Sequence, residues 1–132
     1  MINKKKLDQE IIIKTSPHEI YEAFMDSKKH SKYTEGKANV SREVGGKFSV
    51  FEGAINGENV ELEQDKKIVQ TWRSEGENWP KGYYSTITLV LEPVDDGTLI
   101  KFMHSDIPEG AYESVKDGWD TYYWEPLKEM FS

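Results

Sequence analysis

The segment AYESVKDGWDTYYWEPLKEMF, residues 111–131, reads as one long amphipathic helix. Val115, Trp119, Tyr122, Tyr123, Pro126, Leu127 and Met130 recur three or four places apart, the spacing of an apolar helical stripe. Glu113, Lys116, Asp117, Asp120, Glu125 and Lys128 fall on the opposite face. Pro126 removes the helical bond to the Tyr122 carbonyl, at a cost of about 3 kcal/mol in a helix interior, so a kink is expected there. Residues 38–105 read instead as short alternating strands. A long aromatic helix that follows a run of strands must bury its stripe, and the surface at hand is one face of the sheet just built.

Upstream, residues 9–15 (QEIIIKT) are apolar and β-branched and predict the first strand. Ser16, Pro17 and Glu19 then supply an N-cap, a proline at the first helical position and a capping-box glutamate. The helix they start carries Ile20, Tyr21, Ala23 and Phe24. Residues 26–33 are polar and short of apolar anchors, which predicts one or two helical turns or a loop. Gly45-Gly46 predicts a tight turn needing positive φ, ahead of a strand over 47–51 in which Phe48 and Val50 share a face. Asn56-Gly57 predicts a hairpin turn. After it Val60 and Leu62 alternate with Glu61 and Glu63. Asp65-Lys66-Lys67 turns the chain into a strand over 68–74, and Trp79-Pro80-Lys81-Gly82 marks a further turn. Residues 83–92 are expected to be the longest strand, with Ser85, Ile87, Leu89 and Leu91 on one face. Asp96-Gly97 leads into 98–105, where Ile100, Phe102 and His104 share a face. Pro108 and Gly110 separate this run from the final helix.

Recurrent short turns predict an antiparallel, strongly twisted sheet. The fold class is therefore α+β. A curved antiparallel sheet of six to seven strands wraps around a long C-terminal helix, with one or two short helices after the first strand. One domain is expected over residues 1–132, with its core over about 9–131.

Composition narrows the function classes. The 132 residues carry 24 acidic against 17 basic side chains, a net charge of −7, which disfavours a nucleic-acid partner. Lys4-Lys5-Lys6 is expected to be the solvated start of a tail. The absence of cysteine excludes disulfides, thiolate metal sites and a cysteine nucleophile, and fits a reducing compartment. No apolar leader follows the N-terminal lysines and no stretch is long enough to span a bilayer. A soluble cytoplasmic protein with no membrane partner is expected.

Several landmarks then recur in a fixed order: Gly45-Gly46-Lys47-Phe48, Gly53, Lys67-Ile68-Val69 with Trp72-Arg73, Trp79-Pro80, Ser85-Thr86-Ile87-Thr88-Leu89, and Gly118-Trp119 with Tyr122-Tyr123. Their order and spacing resemble the C-terminal domain of the activator of the heat-shock protein 90 ATPase and its single-domain relatives. That family lies within the helix-grip superfamily of START domains and the birch-pollen allergen. The resemblance runs from about Glu10 to Phe131. It implies a co-chaperone-type interaction module that binds heat-shock protein 90 and modulates its ATPase, with no chemistry or cofactor of its own. The eukaryotic co-chaperone has a separate N-terminal domain with an Asn- and Trp-rich motif. Met1 stands directly before the first strand here, so neither is expected, and the resemblance speaks for fold and family more than for activation.

Catalytic constellations are sparse. His18 and His30 match no metal spacing and read as surface residues. His104, on the inward strand face, reads as a buried hydrogen-bonded histidine or as a polar group orienting a ligand. Ser49, Ser85 and Ser105 show no paired His and carboxylate. Glu61 with Glu63, Asp95-Asp96, and Glu75 with Glu77 around Gly76 read as solvated or turn charges. No metal site and no catalytic residue is assigned. The aromatic set supports an alternative function, a binding protein for a small hydrophobic ligand held between sheet and helix. Its candidate cavity residues are Phe48, Trp72, Ile87, Phe102, His104, Trp119, Tyr122 and Tyr123. Trp79, Pro80 and Tyr83, in the loop over 78–83, are the candidates for protein contact, because a tryptophan in a turn is expected to be partly exposed.

Overall fold

The computed structural model describes residues 3–76 and 78–132; Glu77, read above as a loop charge, lies outside the described residues. In chain order the elements are β1 (Lys4–Ile13), α1 (Pro17–Met25), α2 (Ser27–Thr34), β2 (Asn39–Val40), β3 (Lys47–Val50), β4 (Ile55–Glu63), β5 (Lys67–Ser74), β6 (Ser85–Val94) and β7 (Gly97–Pro108). A 3₁₀ turn (Glu109–Ala111) leads into α3 (Tyr112–Trp119), a π-helical turn (Asp120–Trp124) and α4 (Glu125–Met130). The seven strands form one antiparallel sheet in the order β1-β7-β6-β5-β4-β3-β2.

The inward face is set by period-two alternation on the longest strands. Ser85, Ile87, Leu89 and Leu91 of β6 and Ile100, Phe102 and His104 of β7 are all buried. The C-terminal helix packs on this face, with the Trp119 ring 4.4 Å from that of Phe102 and 5.9 Å from that of Trp72. Ser16 caps α1 as expected, its Oγ accepting the Glu19 N–H at 3.3 Å. Asp26 caps α2 in the same way through Lys29. Helix α1 packs across β6 and β7, and α2 closes against the π turn and α4.

Five expectations are corrected. Lys4-Lys5-Lys6 is not a tail: it opens β1, which runs antiparallel to β7 as far as Pro108. Its lysines face solvent at a sheet edge, where charge does not disturb the ladder. The strand expected over 83–92 runs Ser85–Val94, and β7, with 12 residues, is longer than its 10. Asn56-Gly57 is not a turn. Both lie inside β4, and the hairpin is made by residues 51–54, where Phe51, Glu52 and Gly53 take φ of 52°, 59° and 93°. Gly57 is required for space, because a Cβ there would sit 1.9 Å from the Thr71 carbonyl oxygen. The alternation on β4 also breaks. Asn59 pairs with Gln70 and Glu61 with Val69, so Val60 is an extra residue in a bulge and is 51% exposed. Asn59 is buried in its place; its Nδ2 donates to the Ser41 and Glu43 carbonyls and its Oδ1 accepts from Gln70.

The fifth correction concerns the C-terminal helix. Trp119, Tyr123 and Leu127 are buried as the stripe predicts, but Tyr122 is 53% and Met130 42% exposed, and Trp124 is buried. The π turn causes the change. Its bonds run five residues back, as from the Glu125 N–H to the Asp120 carbonyl. One extra residue enters the turn, so a position five beyond Trp119 returns to the same face. Pro126 follows directly and stands in the first turn of α4. The widened turn accommodates the ring that an α-helical carbonyl four residues back would strike.

Candidate functional site

The polar groups under the helix form a closed chain. The Trp119 Nε1–H donates to His104 Nδ1 at 3.1 Å. His104 therefore carries its proton on Nε2, which lies 2.8 Å from Ser85 Oγ, and that hydroxyl donates to the Trp72 carbonyl at 2.7 Å. Desolvation pushes the His104 pKa down to about 3, so the ring is neutral. Every heteroatom of the ring is used in holding β6, β7 and α3 together. This is the buried, hydrogen-bonded reading of His104.

A second polar contact ties the helix to α2. His30, expected on the surface, is 3% exposed, and its Nε2 lies 3.0 Å from the Tyr123 hydroxyl. Burial lowers its pKa to about 4 and raises that of Tyr123. The correction has a helical cause. His30, Tyr33 and Thr34 are three and four places apart and form the buried face of α2. That spacing is visible in the sequence, though the surrounding lysines and serines mask it. His18 is exposed as expected, with Nδ1 3.0 Å from Asp65 Oδ1.

The space expected between sheet and helix is largely filled. Trp72 and Trp119 pack directly, and Phe24 stacks on Tyr123 at 5.5 Å with the rings 4° from parallel. A void of about 10 Å³ remains where Phe48, Trp72, Ile87, Trp119 and Tyr123 meet His30. Between the helix and the turn over residues 51–54 lies a second space, a cleft of about 220 Å³. Phe51 and Ile55 form one wall, Trp72 and Trp79 the second, and Val115, Gly118, Trp119 and Tyr122 the third. Apart from Ser74, Asn78, Ser114 and the tyrosine hydroxyls, its described lining is apolar, and it contains no charged side chain.

The eight cavity candidates therefore separate. Trp72, Trp119, Tyr122 and Tyr123 line the cleft; Phe48 and Ile87 reach the inner void but not the cleft; Phe102 and His104 lie in the core beneath Trp119. The expectation of a partly exposed Trp79 is corrected: it is 7% exposed and packs on Trp72 at 5.6 Å. The loop that carries it is held by Arg73, whose Nη1 donates to the carbonyls of Pro80 and Tyr83. The Tyr83 hydroxyl donates to the Asp106 carbonyl at 2.8 Å. Phe51 and Gly118 are cleft residues that the sequence reading passed over. Among the described residues no group of three or more His, Cys, Asp or Glu is arranged to hold a metal ion, and no helix is long and apolar enough to cross a membrane.

A curved antiparallel sheet gripping a C-terminal helix, with a paired helical insert after the first strand, defines the START-like helix-grip class. Within it, the chain belongs to the family described as Activator of Hsp90 ATPase homolog 1-like protein, whose model matches residues 14–132. The Activator of 90 kDa heat shock protein ATPase homolog 1 of Homo sapiens is 33% identical over 117 residues, 89% of this chain and 34% of its own. The corresponding activator homolog of Dictyostelium discoideum is 34% identical over 119 residues, 89% of this chain and 30% of its own. The chain thus spans about a third of the length of these relatives. A crystal structure of an HSP90 activator from Plasmodium falciparum superposes with a TM-score of 0.85 at 29% identity, covering 96% of this chain and 94% of that one.

Proposed function

We propose that this chain is a non-catalytic docking module that binds heat-shock protein 90 and biases its ATPase cycle. Membership of the activator family carries the reading. The interior supports it. Its one histidine facing the helix from the sheet is neutral and spent on structural bonds, so it is not poised for acid–base work near neutral pH. A reducing, cytoplasmic location goes with this reading, and the cysteine-free chain fits it.

The small-ligand alternative has less support. Pockets for drug-sized ligands measure about 300–1,000 Å³. The cleft here is smaller, at about 220 Å³, and tryptophan rings fill the interior beside it.

The test is direct. The purified chain is added to heat-shock protein 90 from its own source, and ATP turnover and amide chemical shifts are followed. A changed turnover rate with localised shifts is expected. Unchanged turnover together with an unperturbed spectrum at high chaperone concentration would end the proposal.

A further inference from the structure

Three features shape the cleft. Gly118 sits inside a helix, where glycine costs about 1 kcal/mol relative to alanine. Yet nothing crowds it, since a Cβ there would meet only the Tyr122 ring edge, at 3.9 Å. Phe51 and Glu52 both hold left-handed backbone, a conformation that costs of order 1–3 kcal/mol per non-glycine residue. That turn sets the Phe51 ring edge-on to Tyr122 at 5.6 Å and so builds the wall facing Gly118. Tyr122 is more than half exposed, while Trp119 and Tyr123 on either side of it along the helix are buried. A helix kept bare on one side and a strained turn on the other hold a slot open.

The size of the slot and the net charge of the chain describe the occupant. At about 220 Å³ it is below the range for drug-sized ligands and near the scale of one large side chain. Buried single anchors of this kind dominate protein–protein contacts. The described lining of the slot is uncharged, and the chain that presents it carries 24 acidic against 17 basic residues, a net charge of −7. A cationic segment is favoured over an anionic one by that net charge.

We propose that the Gly118–Tyr122 cleft receives one large apolar side chain presented by a lysine- or arginine-flanked segment of a partner protein. The inference deepens the docking function proposed above and rests on it, while the site itself can be probed without the chaperone. The probe is the pentapeptide Lys-Lys-Trp-Lys-Lys, compared with Lys-Lys-Ala-Lys-Lys, Glu-Glu-Trp-Glu-Glu and free indole. Each is titrated into the isotope-labelled full chain and into Gly118→Leu. The leucine fills the slot while raising helix propensity, and an unchanged or higher melting temperature confirms its fold.

The basic tryptophan peptide is expected to shift the amides of Gly76, Gly118 and Tyr122 in the parent chain, and to lose that effect in Gly118→Leu. The alanine and glutamate peptides are expected to be silent. Equal shifts in Gly118→Leu, equal shifts from the acidic peptide, or indole acting as strongly as the basic peptide would each overturn the proposal. With heat-shock protein 90 itself, Gly118→Leu is expected to bind about tenfold more weakly, the loss of one central anchor. Equal chaperone binding by both chains refutes the cleft as the contact and leaves the docking function intact. A chaperone that ignores the parent chain, while the basic peptide still perturbs the cleft, refutes the docking function and leaves the cleft site supported.

Discussion

Trp119 and Trp124 are five residues apart and stack, with ring centroids 5.5 Å apart and planes 20° from parallel. In a regular α-helix, side chains five apart point well away from each other. The π turn over Asp120–Trp124 brings them onto one face, where Trp119 reaches His104 and Trp124 Nε1–H donates to Gln9 Oε1 at 2.9 Å. The helix is thereby bonded to β7 through one indole and to β1 through the next.

Trp119→Ala is expected to destabilise the chain by about 3–5 kcal/mol, the cost of deleting a large buried aromatic. Trp119→Phe retains most of the packing but leaves His104 Nδ1 unpaired, at about 1–3 kcal/mol. Urea unfolding of both variants checks this. Equal stability of Trp119→Phe and the parent would show that the indole bond contributes nothing.

Two glycines are expected to respond oppositely to alanine. Gly57→Ala would press a methyl group into the Thr71 carbonyl, so β4 and β5 must separate locally, and the melting temperature should fall by several degrees. Gly118→Ala should stabilise by about 0.5–1 kcal/mol through helix propensity. Calorimetry on the two variants distinguishes a glycine kept for backbone approach from one kept for open space.

Stability is expected to fall on mild acidification. Burial holds the folded pKa values of His30 and His104 at about 4 and about 3, below the ordinary histidine value of about 6.5. Between pH 6.5 and those values the unfolded chain takes up protons that the folded chain excludes. Stability is therefore complete above the unfolded pKa and is lost as pH falls, at up to about 1.4 kcal/mol per pH unit per histidine. Among the described residues no charged side chain hydrogen-bonds to either ring to offset this; their partners are Tyr123, Ser85 and Trp119. Denaturation between pH 4 and 7 should show a slope approaching two protons, reduced to one in His30→Asn.

Arg73 is expected to govern the loop over residues 75–84. Its side chain is 11% exposed and joins the Pro80 and Tyr83 carbonyls to the Glu75 carboxylate at 3.1 Å. Lysine lacks the planar fork needed to hold all three. Arg73→Lys should speed hydrogen exchange at Trp79 and Tyr83, whose amides bond within this loop, while the β6 and β7 amides keep their protection.

The element order, the antiparallel sheet and the inward faces of β6 and β7 were legible in the chain because they rest on local periodicity and capping. Ser16, Ile87, Leu89 and Phe102 each announce their role within a few residues of sequence. Other features depend on contacts between distant segments. Gly57 is a glycine because Thr71 lies across from it, and Val60 faces water because β4 carries one more residue than β5 opposite. His30 is buried because a helix more than ninety positions later lies over it, and Trp124 turns inward because Pro126 follows a widened turn on a sheet that takes both indoles. The slot beside Gly118 belongs to this second group. It exists only where the strained turn at Phe51 meets the helix, and no local pattern encodes the meeting of two segments some seventy residues apart.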